Sequence, residues 1–488
     1  MITRGRAALA AAPILCALLA ACGGGNAAVA APHPARVIVF GIDGGTWDVI
    51  GPLMRAGQMP HLKRLYDRGI HGVLETRRPM VSPVVWTTIF TGRLPAEHGV
   101  LNWETAVSTN RRVSALWEIT SAHGLATHVL NVPGSWPPDR VDGVMLSGFP
   151  ISDSTVGAGT GVVARQNSLQ ARDVPAVFTA SATAIAGAAV SLAPGAWSDW
   201  LELPVPGRPS QRCMTRVRRL DAREIYLSPC YRIDAGVGFA SPRDALDRVR
   251  AATGMPYVPE GPGWSRYAER WALDYLTEHL THVARIQSGA AAVFAADPWR
   301  LFLFVDTLVD RVSHPYWPYS RPEDYDGVDP AKARRYAQAV NDAYRETDRQ
   351  LGLVLAAAKG EYDVVVVSDH GFRSNAERKV LTGRHHTDGI YLISSARMRT
   401  QDGQRARIED VTPTVLYMLG LPVGRDMQGR VLPDVAAQLG RPIDSVASLE
   451  RAARRVSQTP LDEEAWEQLK ALGYVGGAAP RGESGRRR

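Results

Sequence analysis

The chain contains an apolar segment, Arg36-Val37-Ile38-Val39-Phe40-Gly41-Ile42, that is followed at once by Asp43-Gly44-Gly45. A continuous apolar run that ends in turn-forming residues is typical of a strand buried on both faces of a parallel sheet. Four further runs share this pattern: His128–Val132, Val144–Ser147, Leu301–Val305 and Val364–Val367. Segments with helical character lie between them: His61–Arg68, Leu116–His123, Ala331–Ala358 and Ile408–Leu419. The alternation predicts an α/β fold with a doubly wound, mostly parallel central sheet flanked by helices.

Length and composition agree with a large globular enzyme. A chain of 488 residues is too long for one small domain. Of its residues, 45% are hydrophobic and 22% are charged, as is usual for globular proteins. The formal net charge of +7 is mild, and the basic residues form no dense run apart from a short tail, Arg486–Arg488. We therefore expect no nucleic-acid binding.

The first residues have the character of an export signal. Arg4 and Arg6 precede an apolar run, Ala7–Ala21, that is too short to span a bilayer comfortably. Cys22 follows directly, as at the cleavage site of bacterial lipoproteins. We expect a signal peptide at 1–21, a lipidated Cys22 and a tether at 22–35, so that the protein is anchored in the bacterial envelope and faces the periplasm or the cell surface. The alternative is a plain cleaved signal with a chance cysteine.

The strand–helix alternation is interrupted in the middle of the chain. Residues 151–295 carry only short β-like runs, namely Trp197–Leu203, Met214–Leu220 and Arg223–Leu227. We interpret 151–295 as an insertion that caps the site. The catalytic core would then comprise 36–150 and 296–435, and 436–488 would form a C-terminal helical segment with a disordered basic tail.

Two of the four cysteines remain for pairing, because Cys16 lies in the predicted signal and Cys22 is the predicted anchor. A hairpin that turns at Asp221-Ala222 would place Cys213 directly opposite Cys230, within disulfide range. Since an exported protein meets oxidising conditions, we predict a Cys213–Cys230 disulfide.

Polar residues follow two of the predicted strands. Asp43 comes directly after the first, and Asp369-His370 follow Val364–Val367, with Gly371 allowing a tight turn. Ligands of such sheets bind beyond the carboxyl ends of the strands. A single Asp in this position is more often a turn residue, but a buried Asp-His pair without a role would be costly.

A serine begins a predicted helix, with Ser82 as N-cap, Pro83 as the first residue and Gly92 as the stop. A helix N-terminus stabilises a phosphate or an alkoxide through its dipole and N–H groups. The alternative interpretation is an ordinary capping serine.

Two further segments offer metal ligands. Asp310 and His314 are four residues apart and share one helix face, so both can reach one metal ion or simply bond to each other. Asp306 is a competing ligand. His385-His386 lie downstream of the Asp369-His370 pair. Asp and His ligands suit Zn²⁺ or another first-row divalent ion.

Taken together, the motifs resemble the alkaline phosphatase superfamily, and most closely its type I phosphodiesterase/nucleotide pyrophosphatase branch, over about residues 36–150 and 296–435. The supporting strings are FGIDGG, MPHLKRLYDRG, SPVVWTTIFTGRLPAEHGV, DRVSH, VVVVSDHGF, HHTDGIYL and IEDVTPTVLYMLGLPVGRDMQGR.

The resemblance implies two divalent metal ions, with Zn²⁺ the expected element. One would be held by Asp43, Asp369 and His370 and bridged by Ser82; the other would be held by Asp310, His314 and His385. His385 is preferred to His386 because it stands four residues before Gly389. Ser82 corresponds to the nucleophile, with Thr87 and Thr88 as fallback candidates. The implied reaction is in-line attack on phosphorus, followed by hydrolysis of a phosphoserine.

The sequence also departs from its relatives. Nucleotide pyrophosphatases have Asn where Val85 stands, which weakens a prediction of nucleotide substrates. Ser82-Pro83-Val84 does not fit the sulfatase pattern, and export argues against the phosphoglycerate mutase branch.

The expected function is hydrolysis of an extracytoplasmic phosphate ester, small or part of a lipid or glycan, by a phosphodiesterase or phosphatase. The alternatives are a transferase of phospho-head-groups in the envelope and a non-catalytic binding protein. An apolar trough at Trp197 and Trp200 would favour a lipid substrate, but core packing within the insertion is the more common role of such side chains. The oligomeric state is not predicted.

Overall fold

The computed structural model describes residues 35–103, 105–148 and 273–450, together with 191–257 except 206–207, 221–223, 229 and 233–237, and four short strands between residues 155 and 189. The predicted signal peptide, Cys22, the tether before residue 35 and the tail after residue 450 lie outside the described residues. In the part of the chain that is described, no helix combines the length and the apolar character that crossing a membrane requires.

A ten-stranded sheet forms the centre of the protein. Its strands are β1 Val37–Ile42, β2 Gly69–Glu75, β3 Thr127–Leu130, β4 Gly143–Leu146, β5 Ala240–Ser241, β6 Leu301–Asp306, β7 Asp363–Val367, β8 Asp388–Ser394, β9 Gln401–Asp402 and β10 Ala406–Arg407. Their order is β5-β4-β3-β6-β1-β7-β8-β2-β9, with β10 also paired to β2. Strands β4, β3, β6, β1 and β7 are mutually parallel, whereas β8 is antiparallel to both of its neighbours. The predicted α/β fold with a mostly parallel sheet is confirmed.

Helices accompany the strands. They are α1 Trp47–Arg55, α2 Pro60–Tyr66, α3 Ser82–Thr91, α4 Pro95–His98, α5 Leu116–Ala122, α6 Ala245–Thr253, α7 Leu273–Ala295, α8 Leu308–Ser320, α9 Pro330–Tyr336, α10 Ala339–Ala357, α11 Val411–Leu419 and α12 Pro433–Leu439. Successive residues of β1 point to opposite faces: Phe40 packs in a core that includes residues of α1, α7, α8 and α10, and Val39 in one that includes residues of α3, α5 and α11. Burial on both faces explains why β1 has no polar residue.

One predicted helix is interrupted. The segment Ala331–Ala358 was expected to be continuous, but it forms α9 and α10 with a break at 337–338. The ring of Tyr336 contacts Tyr316 and Tyr319 of α8, at 5.4 and 5.5 Å between centroids. These contacts hold α9 on α8, and tertiary packing outweighs the strong helical preference of Ala337 and Gln338 at the break.

The predicted hairpin exists, but its register differs. Val217 pairs with Leu227 and Arg219 with Ile225, one residue away from the predicted alignment. Farther along, Cys213 pairs with Arg232, so the expectation that it lies directly opposite Cys230 is wrong. Between the two paired segments, the hydroxyl of Ser228 accepts the N–H of Arg216 at 2.9 Å. Cys213 is nevertheless disulfide-bonded, while the side chain of Cys230 lies outside the described residues.

The predicted insertion at 151–295 contributes to the central sheet and its cover. Strand β5 pairs with β4, and α7 packs against α10 through residues such as Leu280 and Ala284, which belong to the main core. The interpretation of 151–295 as a separate cap stays a prediction.

Candidate metal centre

The carboxyl ends of three adjacent parallel strands carry the acidic residues. Ile42 of β1 is in register with Asp306 of β6, and Gly41 is in register with Val367 of β7. Asp43 therefore leaves the sheet beside the residues that follow β6 and β7, as the topology of a doubly wound sheet requires.

Asp43, Asp369 and His370 form one potential metal site. One ligand atom from each lies within 4.8 Å of the others, and all three residues are buried. His370 Nε2 lies 3.4 Å from Asp43 Oδ1 and 3.3 Å from Asp369 Oδ2. Asp369 is oriented through its other oxygen, which accepts the backbone N–H of Gly44 at 3.2 Å and that of His370 at 3.0 Å. The structure thus brings together the three side chains predicted for the first metal.

Asp310 is the centre of a second group. His385 Nε2 lies 3.1 Å from Asp310 Oδ1, and His314 Nε2 lies 3.3 Å from the same oxygen. The two imidazole nitrogens are only 2.9 Å apart. His370 Nε2 is 3.9 Å from Asp310 Oδ1, and the ring of His370 stacks on that of His385. The first and second groups of ligands are therefore in direct contact. All residues predicted for the second metal therefore converge as well, and one ligand atom each of Asp310, His385 and His370 lies within 4.8 Å of the others, so that His370 belongs to both groups.

The tautomers of two histidines favour metal binding. His370 Nδ1 donates to the carbonyl of Gly371 at 3.1 Å, and His385 Nδ1 donates to the carbonyl of Met80 at 2.8 Å. In the neutral rings both Nε2 atoms then carry a lone pair. Because His385 Nε2 faces a carboxylate oxygen, a proton or a cation is needed between them.

Ser82 lies beside the first group. It is the first residue of α3, whose N-cap is Val81, so the prediction that Ser82 is the N-cap is wrong by one residue. The Ser82 hydroxyl donates to Asp43 Oδ1 at 3.3 Å. The N–H groups of Val84 and Val85 donate to the carbonyl of Val81. The dipole of α3, rather than these N–H groups, is available to an anion at this end.

The fallback nucleophiles and competing ligands have other partners. Thr87 Oγ1 donates to the carbonyl of Pro83 and Thr88 Oγ1 to that of Val84, as is common inside helices. Asp306 accepts the backbone N–H of Leu308 at 3.0 Å and also binds the hydroxyl of Thr347. His386 Nδ1 accepts the N–H of Asp388 at 3.2 Å.

Burial and like charges perturb the acidic groups. Burial, and then the charge of Asp310, raise the pKa of Asp43 to about 8. Burial and the neighbouring carboxylates also raise the pKa of Asp369, whereas burial lowers that of His370. Burial acts to raise the pKa of Asp310 as well, but His314 and His385 outweigh it and hold that pKa well below its usual value. Without a cation, the raised pKa values of Asp43 and Asp369 favour their protonated forms at neutral pH, whereas Asp310 stays ionised.

The donor set fits divalent cations. Within the described part of the chain, Asp369 Oδ2 and His370 Nε2 are buried and lack a protein hydrogen-bond partner. Burying such atoms without a partner costs free energy of folding, unless a bound ion or ligand interacts with them. Oxygen and nitrogen donors spaced in this way match first-row divalent ions, including Zn²⁺.

Residues 37–415 match the family of type I phosphodiesterases / nucleotide pyrophosphatases. The chain belongs to this family. The resemblance inferred from the motifs is thereby confirmed. A curated relative, the 2,3-bisphosphoglycerate-independent phosphoglycerate mutase of Bacteroides thetaiotaomicron, is 28% identical over 109 residues, which are 20% of this chain and 19% of that protein. The match thus spans about a fifth of the relative's length.

Comparison with solved structures finds similarities of low sequence identity. A putative sulfatase of Bacteroides thetaiotaomicron is 11% identical, with a TM-score of 0.41 over 84% of this chain and 75% of that one. A mutant of the alkaline phosphatase PafA is also 11% identical, with a TM-score of 0.41 over 82% and 98%. Human ectonucleotide pyrophosphatase / phosphodiesterase 5 is 9% identical, with a TM-score of 0.39 over 87% and 100%.

The sequence motifs did not predict some of the residues that shape the site. The indole N–H of Trp86 donates to Asp43 Oδ2 at 3.1 Å and fixes the carboxylate that Ser82 contacts. Trp86 stands four residues after Ser82 on α3, so helical spacing could have revealed it. The carbonyl of Met80 orients His385. Because this is a backbone group, no side-chain pattern in the sequence could have indicated its role. Val85, which replaces the family asparagine, is buried in the core.

Trp197 and Trp200 face a different part of the molecule. Their indole N–H groups bond to Glu278 and His282 of α7. Trp197 lines a cavity of about 530 Å³ whose walls carry several charged side chains, among them Arg216 and Arg285. These tryptophans therefore do not line an apolar trough of the kind that would favour a lipid substrate.

Proposed function

We propose that this protein is a two-metal hydrolase that cleaves phosphoric esters, as a phosphodiesterase or phosphatase, through a phosphoserine on Ser82. The observation that carries the proposal is the convergence of the Ser82 hydroxyl with two overlapping groups of Asp and His ligands. Family membership supports the same reaction class.

The chain's own residues account for positioning. Asp43 Oδ1 holds the hydrogen of the Ser82 hydroxyl, and Trp86 holds the other oxygen of that carboxylate. Ser82 Oγ can then lose its proton to solvent and form a bond to phosphorus while the bond to the leaving oxygen breaks, and that oxygen takes up a proton from solvent. Water later cleaves the phosphoserine and regenerates the hydroxyl. The N-terminus of α3 favours the negative charge that develops here.

Two groups would hold the cations. Asp43, Asp369 and His370 with Ser82 form the first, and Asp310, His314 and His385 the second. Divalent ions bound there would lower the pKa of the Ser82 hydroxyl and offset charge on the phosphate oxygens.

The test is hydrolysis by protein loaded with a single defined metal. The substrates are p-nitrophenyl phosphate, bis(p-nitrophenyl) phosphate and p-nitrophenyl sulfate, assayed with wild type and Ser82→Ala. We expect phosphate-ester turnover that Ser82→Ala abolishes. Turnover of the sulfate alone, or turnover unaffected by Ser82→Ala, would contradict the proposal.

We further infer an extracytoplasmic location from the sequence of residues 1–22 alone. A lipid on Cys22 would tether the enzyme to the envelope. Mass spectrometry of the mature N-terminus, with Cys22→Ser as control, tests this. An unmodified cysteine in the membrane-associated protein would rule the anchor out.

A further inference from the structure

A cleft of about 1590 Å³ opens directly beside the second group of ligands. His314 and His385 form part of its wall, so a molecule in the cleft can reach the candidate metal centre. The volume exceeds what a phosphate group alone would occupy, since pockets for drug-sized ligands measure about 300–1,000 Å³. The cleft can therefore accommodate the part of a substrate that does not react.

One wall of the cleft is apolar and open to solvent. Val380 and Leu381 are 40% and 41% exposed, which makes them two of the few large apolar side chains with such exposure among the described residues. Met80 and Tyr319 line the same cleft and are only partly buried. An apolar wall that joins a polar centre marks a place where an apolar group can bind.

Cations line the remaining part of the cleft. Arg78, Lys379 and Arg384 face it, against a single acidic residue, Glu377. Within the part of the chain that the structure describes, none of the three cations takes part in an ion pair or a side-chain hydrogen bond. The cleft thus combines a positive potential with an apolar surface.

The segment that carries the apolar wall is fixed by hydrogen bonds to its surroundings. Segment 374–383 connects the two strands of a ribbon, Gly371–Arg373 and Arg384–His386, in which Phe372 pairs with His385. The segment is fixed to its surroundings by Arg378, whose guanidinium bonds to Asp326 at 2.9 Å, and by the carbonyl of Thr382, which accepts from Tyr325 at 2.9 Å. The apolar pair is therefore preorganised relative to the metal centre.

We propose that the substrate is an amphiphilic phosphoric ester, whose alkyl chain lies against Val380, Leu381 and Tyr319 while its anionic group faces the cations of the cleft. This inference rests on the hydrolytic function proposed above. A fully buried methylene group contributes about a fourfold gain in binding. Because the wall is half open, we expect about twofold per methylene.

The experiment compares methyl p-nitrophenyl phosphate with octyl p-nitrophenyl phosphate, both below the critical micelle concentration. We expect kcat/KM for the octyl ester to exceed that for the methyl ester at least tenfold in wild type. The double variant Val380→Ser/Leu381→Ser should reduce this ratio to about twofold. Leu353→Ser is the matched control, because Leu353 is also 40% exposed but lies on α10. It should leave the ratio unchanged.

Binding measurements separate this inference from the hydrolytic function. Isothermal titration with octyl methyl phosphate and dimethyl phosphate needs no turnover, and octyl glucoside supplies a neutral molecule with the same chain. We expect the octyl phosphate to bind at least tenfold more tightly than the other two, and the double variant to lose this preference. If binding shows the preference but no ester is hydrolysed, the hydrolytic function fails and the amphiphile site stands.

Three outcomes would overturn the inference. The first is equal kcat/KM and equal affinity for methyl and octyl compounds. The second is a chain-length preference that survives in Val380→Ser/Leu381→Ser. The third is a preference that appears only with vesicles or micelles, since this would identify the apolar pair as a membrane contact rather than a substrate wall.

Discussion

The Ser82 hydroxyl and Asp43 Oδ1 lie 3.3 Å apart, with the hydroxyl as donor. This hydrogen bond joins the first residue of α3 to the residue that follows β1, and both side chains are buried. A serine that caps a helix would ordinarily accept a backbone N–H of the first turn. The orientation of Ser82 toward a carboxylate that lies among metal-binding side chains is what favours a nucleophile over a cap.

Replacing Ser82 tests that assignment. Ser82→Ala should lower kcat for phosphate esters by roughly a thousandfold or more, because it removes the oxygen that attacks phosphorus in the proposed reaction. Metal content and the circular dichroism spectrum should stay as in wild type. Thr87→Val is the control, since Thr87 Oγ1 bonds only within its own helix, and its kcat should change by less than about threefold. Retention of full rate by Ser82→Ala would refute the assignment.

Trp86 should control metal affinity. Trp86→Phe removes the N–H that orients Asp43 Oδ2 and keeps most of the ring, so we expect the affinity for the first metal to fall about 10- to 100-fold. Titration against a competing chelator measures this. Trp117→Phe is a matched control, because it also loses an indole–carboxylate bond, to Asp139 at 2.9 Å, away from the site. Equal losses of metal affinity in both variants would argue against a specific role.

Replacing the adjacent histidines His385 and His386 should have different effects on metal content and on kcat. His385→Ala should remove one of two bound metal ions per chain and lower kcat roughly a hundredfold or more, because His385 Nε2 faces Asp310. His386→Ala should leave both ions in place, since His386 bonds locally to Asp388. Elemental analysis of the two purified variants checks the stoichiometry. The reverse pattern would mean that the ligand is His386.

His98 should make stability depend on pH. It is fully buried between Thr88 Oγ1 and the N–H of Val100, and burial, aided by the charge of Arg111, lowers its pKa from 6.5 to about 4. Between these values the unfolded chain binds a proton that the folded protein does not. The stabilising contribution is therefore complete above pH 6.5 and lost as the pH falls toward 4, at up to about 1.4 kcal/mol per pH unit.

The comparison with His98→Asn isolates this effect, because the Asn side chain can still accept from Val100 but does not titrate. Urea unfolding at pH 7, 6, 5 and 4.5 gives the difference in free energy of unfolding between wild type and variant. We expect the difference to change in favour of the variant as the pH falls. A difference that is constant with pH would contradict a buried neutral His98.

Gly371 should be intolerant of any side chain. A Cβ at this position would lie 2.1 Å from the carbonyl oxygen of Asp388, so Gly371→Ala should destabilise the fold by about 1–3 kcal/mol. Gly289→Ala on α7 is the control, since its Cβ would meet only Thr253, at 3.6 Å, and alanine favours helices. Urea unfolding should show a loss for the first variant and none for the second.

The strand ends and most site residues were predictable from sequence. Continuous apolar runs such as Val364–Val367 identify parallel strands, and topology then dictates that Asp43 and Asp369 meet. Gly371 was noted correctly, but for the wrong reason: it permits close packing against Asp388 rather than a tight turn.

Other features depend on contacts that no local pattern encodes. The break at 337–338 accompanies tyrosine packing, and the hairpin register is one residue away from the predicted alignment; hydrophobic periodicity indicates neither of these features. Likewise, Asp306 stands at a strand end like Asp43, yet its oxygens are occupied by Leu308 and Thr347. Only three-dimensional neighbours distinguish the two carboxylates.

The position of β1 between β6 and β7 determines when, during synthesis and folding, the metal ligands can come together. Asp43, Asp310 and Asp369 are distant in sequence and meet only after strands from three separate parts of the chain have paired. A ribosome must therefore synthesise the polypeptide to about residue 386, and release it from the exit tunnel, before a complete set of metal ligands can assemble. Since ion affinity arises with the tertiary fold, a chain still under synthesis should not capture metal tightly.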